Sequence, residues 1–306
     1  MRVQKEKNTS KSKRRGAKSL QQKIFPYILI APNAMIFLCF IIIPAFFGIY
    51  YSMTDWQGIG EPVFVGLGNY TKAFGDTKFW QAFVRTVKYA VITLPVVMVA
   101  SLLLANLMIQ SIPGKGVFRA IIYWPAMISF IVTGVAFKFI FGDSTGIINY
   151  LLKMMGGSSV EWLMDKDHAL AVVIMATVWS CAGYYMIMFM SGLQSIPISY
   201  YEAAKIDGAS AFQRFMRITL PLIRPTTFLV LILGFLGLFK AYGMVISLTG
   251  GGPASATKFV VQYVYEKAFQ EYSMGYACTL SILLLVILAF FTILQFKVSK
   301  GGEIND

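Results

Sequence analysis

Long uncharged runs alternate with short polar segments along the chain. Each run has at least about 18 residues, enough to cross the hydrocarbon core of a bilayer as a helix, and none shows the alternation of a barrel strand. The pattern therefore predicts an all-α, polytopic membrane protein with six transmembrane helices. Five runs lie between Lys23 and Asp55, Lys88 and Lys115, Arg119 and Lys138, His168 and Glu202, and Tyr272 and Phe296, and a sixth, from 225 to 248, contains one charge, Lys240.

The spans and their connections are predicted to form a single domain. We expect one transmembrane domain at residues 24–298, between a basic N-terminal tail at 1–23 and a C-terminal tail at 299–306. The connections on the side opposite the termini are too short to form domains of their own. They cover residues 54–86, 142–168 and 249–275.

Basic residues predict the orientation of this domain. Nine of the first 23 residues are Lys or Arg and only Glu6 is acidic, so the N-terminal tail should stay in the cytoplasm. Six spans return the C-terminal tail to the same side, and the segments assigned to the cytoplasm then hold 17 basic residues against 7 outside. A cleaved signal peptide is the alternative for the first run, but the run is too long and lacks a small-x-small site before Tyr51. We expect a retained span.

Composition excludes a soluble protein and supports the membrane interpretation. Hydrophobic residues make up 57% of the chain and charged residues 13%, with a mean hydropathy of +0.65. Soluble domains carry about 25% charged residues. The net charge of +13 is compatible with nucleic-acid binding, but the basic residues flank the apolar runs. We therefore expect contact with lipid headgroups and no nucleic-acid partner.

Several kinds of chemistry are missing from the sequence. No segment matches the phosphate-binding GxxxxGK[ST] pattern, so the chain should not hydrolyse ATP itself. The spans contain no acidic residue, which argues against a proton or sodium relay. The single histidine, His168, cannot form a histidine metal site, and Cys39, Cys181 and Cys278 lack metal-ligand spacing. The sequence predicts no catalytic residue, no metal and no cofactor bound by this chain.

The segment 195–224 between the fourth and fifth spans contains helix signals. Ser199 and Glu202 have the spacing of a capping box, and Gly208 can end the helix with a positive φ. A second short helix is predicted from about 211 to 219, before Pro221. An interfacial hairpin that merely joins two spans is the alternative, and the local pattern alone favours it.

Two longer motifs resemble a known family. The pattern EAAxxDGA at 202–209, followed by FxxIxLPxxxP at 215–225, is similar to the cytoplasmic signature of ABC-importer permease subunits. The segment Trp162-Leu163, the run Gly192-Leu193-Gln194 and the segment 248–253 resemble the carbohydrate-uptake branch, of the maltose, lactose and glycerol-3-phosphate type. Where many relatives have Lys-x-Phe-Asp, this chain has Lys240-Ala241-Tyr242-Gly243 and lacks the acid.

The resemblance implies a fold, a location and a set of partners. The fold would be the six-helix type I importer permease with a cytoplasmic coupling helix at 200–206, in a bacterial plasma or inner membrane with both termini cytoplasmic. The partners would be a second homologous permease, two cytoplasmic ABC ATPases that bind ATP and Mg²⁺, and an extracytoplasmic solute-binding protein delivering a sugar, oligosaccharide or polyol. Another polar solute, or a scaffold without transport, is the alternative. The residues implied to couple to the ATPases are Tyr201, Glu202, Ala203, Ala204, Asp207, Gly208 and Ala209.

Aromatic, hydroxyl and ammonium groups in the fourth and fifth spans are candidates for the substrate pathway, because they can stack on sugar rings and bind hydroxyls. Tyr184 resembles a sugar-contacting position of the family. Lys240 lies about 24 Å into its span at 1.5 Å per residue, too deep to face lipid cheaply, whereas Lys138 can reach the surface. Membrane-interface or packing roles remain open for Trp124, Trp179 and Tyr185. The predicted pathway residues are Thr177, Trp179, Tyr184, Lys240 and Tyr242.

Overall fold

The first span is one long apolar helix. The computed structural model describes residues 20–111 and 113–299. Helix α1 (Leu20–Phe37) continues through a π-helical turn, Leu38–Ile42, into α2 (Ile43–Ser52). Residues 1–19 and 300–306, which make up most of the two predicted tails, lie outside the described residues, whereas residues 20–23 of the predicted N-terminal tail belong to α1.

The second span is the longest helix among the described residues. Strand β1 (Thr54–Asp55) pairs antiparallel with β2 (Val63–Phe64), and α3 (Gly68–Phe74) follows. Helix α4 (Thr77–Met108) has 32 residues. Asp76 caps it by accepting hydrogen bonds from the backbone amides of its first turn.

The third span is bent rather than straight. Helix α5 (Lys115–Tyr123) leads through a 3₁₀ turn, Trp124–Met127, into α6 (Phe130–Ile140), and the two parts meet at 98°. Pro125 lies in the turn and has no amide hydrogen to continue the helix. Ser129 then starts α6 by accepting a hydrogen bond from the Ile131 amide. The run of apolar residues alone did not reveal this bend.

A short helix and a loop precede the fourth span. Asn149 holds helix α7 (Ile147–Met154) in place. Its buried side-chain amide forms hydrogen bonds with the backbone of Val160 and with the Trp162 indole. Helix α8 (Lys166–Gln194) follows, with 29 residues. Half of the most apolar window of α8 is buried in the protein, more than in any other continuous span of the described residues.

The segment after α8 forms a helical hairpin. Helix α9 (Ile198–Ile206) is followed by α10 (Ala211–Arg214), a π-helical turn over Phe215–Thr219, and α11 (Leu220–Leu222). The prediction that the second helix stops before Pro221 was wrong. Pro221 lies in the first turn of α11, where a missing amide hydrogen costs little.

The fifth span is interrupted near its far end. Helix α12 (Arg224–Phe239) ends with Lys240 as its C-cap, and α13 (Gly243–Leu248) begins after a break. The predicted span 225–248 is therefore two helices. Glycines have low helix propensity, and Gly243 stands at the restart.

The last part of the chain returns through the membrane. Helix α14 (Val260–Tyr265) continues as a π-helical turn, Glu266–Gln270, and α15 (Met274–Val298) is the final span. In the described residues, four helices are long and apolar enough to span a membrane. The number rises to six if each of two bent pairs counts as one span, the first being 115–127 with α6 and the second being 211–222 with α12. The all-α class predicted from the sequence is confirmed.

The core lies where α4 and α8 pack along each other. One group of buried side chains joins them to α12, α13 and Phe259, and a second joins them to the start of α12. Elsewhere, many large apolar side chains of the spans are exposed, as lipid-facing surfaces require. The bundle thus surrounds the α4 and α8 pair.

Candidate functional site

A cavity of about 370 Å³ lies beside the core, between α4, α8, the start of α6 and the break after α12. Four of the five predicted pathway residues line it: Thr177, Tyr184, Lys240 and Tyr242. The sequence did not single out Tyr89 or Phe130, which also line it, because these side chains come from elements distant in the chain.

Trp179 does not line this cavity. It is 44% exposed and packs on Phe137, with ring centroids 5.7 Å apart. Each residue turns an α-helix by about 100°, so Trp179 lies about 200° around α8 from Thr177, whereas Tyr184 returns to nearly the same face. The periodicity of α8 could have separated these residues.

The hydroxyl of Thr177 is already hydrogen-bonded within the protein. It donates to the Val173 carbonyl at 2.8 Å and lies 2.8 Å from the Tyr89 hydroxyl. The Tyr89 ring in turn stacks on Phe259 at 4.5 Å. Thr177 therefore fixes one wall of the cavity, and its hydroxyl is not a free solute ligand.

Three tyrosine rings form a further part of the wall. Tyr184 and Tyr185 pack edge to face at 5.2 Å, but Tyr184 is 45% exposed and Tyr185 only 8%. Tyr242 packs on Tyr265 at 5.0 Å. Tyr184 consequently offers an accessible aromatic face, while Tyr185 mainly packs.

Lys240 lines the cavity at the break between α12 and α13. Lys240 is exposed, and it forms no ion pair with an acidic side chain within the described part of the chain. Lys138 lies elsewhere, exposed in the last turn of α6. The break thus presents a cation to the cavity.

The helical hairpin after α8 differs from its prediction at the first turn. Helix α9 starts at Ile198, with Pro197 as N-cap and no side-chain cap. The predicted capping box of Ser199 and Glu202 was therefore wrong, because Ser199 is already inside the helix. The helix is two residues longer at its start than the predicted 200–206.

A capping box does form at the second helix of the hairpin. The Gln213 amide donates to Ser210 Oγ at 3.2 Å, and the Ser210 amide donates to Gln213 Oε1 at 2.8 Å. Between the helices Gly208 has φ +74°, as predicted, and a Cβ there would meet no atom within 4 Å. The constraint at Gly208 is therefore backbone conformation alone.

The seven predicted coupling residues lie on two faces of the hairpin. Tyr201 is half-buried, and its hydroxyl lies 3.0 Å from Thr219 Oγ1, so it ties α9 to the following helix. Ala204 and Ala209 are also half-buried, whereas four residues are exposed. The exposed ones are Glu202, Ala203, Asp207 and Gly208.

A third polar group joins the N-terminal ends of α4 and α15 to α14. The Asp76 carboxylate accepts hydrogen bonds from the hydroxyls of Tyr263 and Tyr276, both at 2.7 Å, and we call these three residues the Asp76 cluster. Burial alone would raise the pKa of Asp76, but the bonds from both tyrosines and from the Phe79 and Lys78 amides outweigh it and lower that pKa.

The described residues show no group of three or more His, Cys, Asp or Glu side chains that could hold a metal ion. Polar groups lie in the cavity, in the hairpin and in the Asp76 cluster. The cavity offers a lined space that can bind a small molecule. The exposed hairpin can contact another protein and move with it.

Comparison with known proteins assigns the chain to a family. The model of the family described as "Binding-protein-dependent transport system inner membrane component" matches residues 65–300. The chain is 34% identical to the probable ABC transporter permease protein YurN of Bacillus subtilis, over 92% of this chain and 98% of that protein. It is 33% identical to the trehalose/maltose transport system permease protein MalF of Thermococcus litoralis, over 95% of this chain and 97% of that protein.

Solved structures share the fold. A bacterial ABC transporter involved in the import of the acidic polysaccharide alginate matches with a TM-score of 0.79 and 23% identity, over 92% of this chain and 99% of that one. The bacterial alginate transporter in complex with an alginate pentasaccharide-bound periplasmic protein matches with a TM-score of 0.80 and 22% identity, over 92% and 97%. The chain therefore belongs to the family of binding-protein-dependent transport system inner membrane components, and it is a permease subunit of an ABC importer, a transport subunit and not an enzyme.

Proposed function

We propose that this chain and a second, similar permease form the membrane pathway for a sugar, oligosaccharide or related polyol. A solute-binding protein delivers the solute from outside, and two cytoplasmic ATPase subunits, which hold ATP and Mg²⁺, drive its passage. The names of the relatives, which include a trehalose/maltose permease and an sn-glycerol-3-phosphate permease of Agrobacterium fabrum, support this solute class. The cavity supports it by size, since ligand sites commonly measure about 300 to 1,000 Å³.

The hairpin of α9 and α10 is the observation that carries the proposed coupling. Its outer face presents Glu202 and, four residues further along α9, Ile206, which is 87% exposed. A charged group beside a large apolar side chain suits a cleft in a partner protein. The ATPases would bind this face.

Movement of the hairpin has a direct route to the cavity. The bond between Tyr201 and Thr219 links α9 to the helical run that leads into α12. The C-terminal end of α12, with Gly234 and Gly237, lines the cavity. A rigid displacement of α9 by the ATPases would therefore reshape the cavity wall.

The proposed orientation places both tails and the hairpin in the cytoplasm. The bias of basic residues supports it. Single cysteines at Ser210 and Ser255 of a cysteine-free variant test it with an impermeant maleimide on intact cells. Cysteine at 255 should label and cysteine at 210 should not, and labelling at 210 would overturn the orientation.

Assembly with the ATPases tests the proposed function. In a complex expressed with the second permease and both ATPases, Gly208→Val should reduce ATPase retention on affinity purification by about tenfold or more, because valine is strained at φ +74°. Gly116→Val is the matched control, since Gly116 also has open space around its Cβ position but no positive φ. Retention equal to that of the control would contradict the proposal.

Charge reversal on the exposed face gives an independent variant. Glu202 lies on the exposed face of α9 without a capping role, so Glu202→Lys should leave the fold intact and weaken ATPase retention through the wrong charge. Normal retention together with normal transport would make the hairpin a passive connector.

A further inference from the structure

Helix α7 presents one exposed apolar face. Three large apolar side chains stand at the spacing i, i+4 and i+7, and they are between 47% and 70% exposed. Since each residue of an α-helix turns the chain by about 100°, these side chains lie within about 60° of one another. We call Ile147, Leu151 and Met154 the α7 face.

The opposite side of α7 is fixed to the protein through Asn149, which is buried. Its Nδ2 donates to the carbonyls of Asp143 and Val160, both at 2.9 Å. Its Oδ1 accepts hydrogen bonds from the Val160 amide at 3.0 Å and from the Trp162 indole at 3.1 Å. Both donors and both acceptor positions of the asparagine side chain are therefore used, so α7 is held in place with its apolar face outward.

The neighbouring spans place α7 at the edge of the membrane. Helix α6 ends at Ile140 before it, and α8 begins at Lys166 after it, at the end opposite the hairpin. Helix α7 contacts α6, on which the exposed Phe139 belongs to the lipid-facing surface of the spans. The α7 face therefore adjoins a surface that lipid already covers.

The charges near the α7 face suit the surface of a bilayer. Lys153, on the flank of that face, is the one charged residue of α7, and Lys138 lies in the last turn of α6. Both lysines are exposed. Lysine side chains beside an apolar face can reach headgroup phosphates with their ammonium groups while their carbon chains stay in the apolar layer. An apolar face flanked by lysines is typical of helices that lie in the membrane interface.

We propose that α7 is an interfacial anchor, in which the α7 face binds the lipid surface at the membrane edge opposite the hairpin. Such faces lie about 5 to 10 Å deep, at the boundary between headgroups and acyl chains. The bonds of Asn149 connect the anchor to Val160 and Trp162, just before α8. The anchor therefore fixes the level of this end of α8 in the bilayer, while the hairpin at the other end stays free to move. This inference concerns lipid alone and does not depend on the solute or on the ATPases.

A nitroxide label on the α7 face measures what covers it. The three native cysteines are replaced by Ala in the complete importer, which is reconstituted in nanodiscs of phosphatidylcholine. The label is attached to Leu151→Cys or, in a second variant, to Met154→Cys. The control is Ser158→Cys, at an exposed position of the loop after α7. Electron paramagnetic resonance gives the collision rates of the label with O₂, which concentrates in the bilayer, and with nickel ethylenediaminediacetate, which stays in water.

Both labels on the α7 face should collide mainly with O₂. The ratio of O₂ to nickel collisions should be at least about tenfold higher at both face positions than at the control, because the face lies below the headgroups and the loop does not. Adding the solute-binding protein should leave the ratio at the face unchanged.

Three results would overturn the inference. A ratio at the α7 face equal to that at the control would mean that the two positions share one environment and that the face is not selectively embedded. Low collision rates with both reagents would mean that another subunit covers the face. A high nickel rate that falls on addition of the solute-binding protein would assign the face to that protein. The proposed function is judged separately, by retention of the ATPases and by uptake.

Discussion

The polar groups of the Asp76 cluster are hydrogen-bonded to one another, whereas two polar groups of the cavity wall have no partner among the described residues. Asp76 receives four hydrogen bonds, two from tyrosine hydroxyls and two from backbone amides. In the cavity wall, Ser180 Oγ has no partner and Lys240 has no ion pair within the described residues. Unpaired buried polar groups cost stability, so the two regions should respond differently when their polar groups are removed. The first region holds helices together, and the second lines the cavity that we propose as the solute pathway.

Removing the carboxylate of the Asp76 cluster should have the largest effect on stability. Asp76→Ala deletes the N-cap of α4 and leaves the hydroxyls of Tyr263 and Tyr276 without their acceptor. We expect a loss of about 2 kcal/mol, measured by thermal unfolding in detergent. Asp55→Ala, at an exposed acid of β1, is the control and should change stability by less than about 0.5 kcal/mol.

A pair of hydroxyl deletions in the cavity sharpens the comparison. Thr177→Val leaves the buried Tyr89 hydroxyl without its partner and should cost about 1 to 2 kcal/mol. Ser180→Ala removes a hydroxyl that has no partner among the described residues, so it should leave the melting temperature unchanged or raise it. A larger loss from Ser180→Ala than from Thr177→Val would contradict the distinction between the two groups.

The pH dependence of stability gives a smaller effect with a definite sign. The pKa of Asp76 is lowered in the folded protein, so its contribution is present above the ordinary value of about 3.9 and is lost as the pH falls through the folded pKa. The wild type should therefore melt higher than Asp76→Asn at pH 7, and the difference should shrink below about pH 4. A difference that is constant from pH 7 to pH 3 would contradict this account.

The same two regions show what the sequence could reveal. The uncharged runs predicted the spans because burial in lipid forbids charge over a whole helix. The bonds from Asp76 reach 187 and 200 residues along the chain, and no local pattern records such a pairing. Tyr184 was identified by its resemblance, whereas Tyr89 enters the cavity only through the packing of α4 on α8.

Two similar local signals had different outcomes. Ser199 and Ser210 are each followed three residues later by Glu or Gln, so both fit a capping box. Only the box at Ser210 forms, because α9 already starts at Ile198 after the N-cap Pro197, which leaves Ser199 inside that helix. Likewise, the apolar run across 225–248 gave no sign of the break at Lys240, which opens the cavity.

The most direct test of the central claim is uptake by a variant of Tyr184 in the complete importer. Tyr184→Ala removes the accessible aromatic face of the cavity, and its control, Tyr150→Ala, removes an exposed ring of α7 that does not line the cavity. With the solute carried by the binding protein, the Tyr184 variant should lose about 90% of uptake while retaining its ATPases, and the control should transport normally. Uptake at the wild-type rate by Tyr184→Ala would show that the solute does not pass through this cavity.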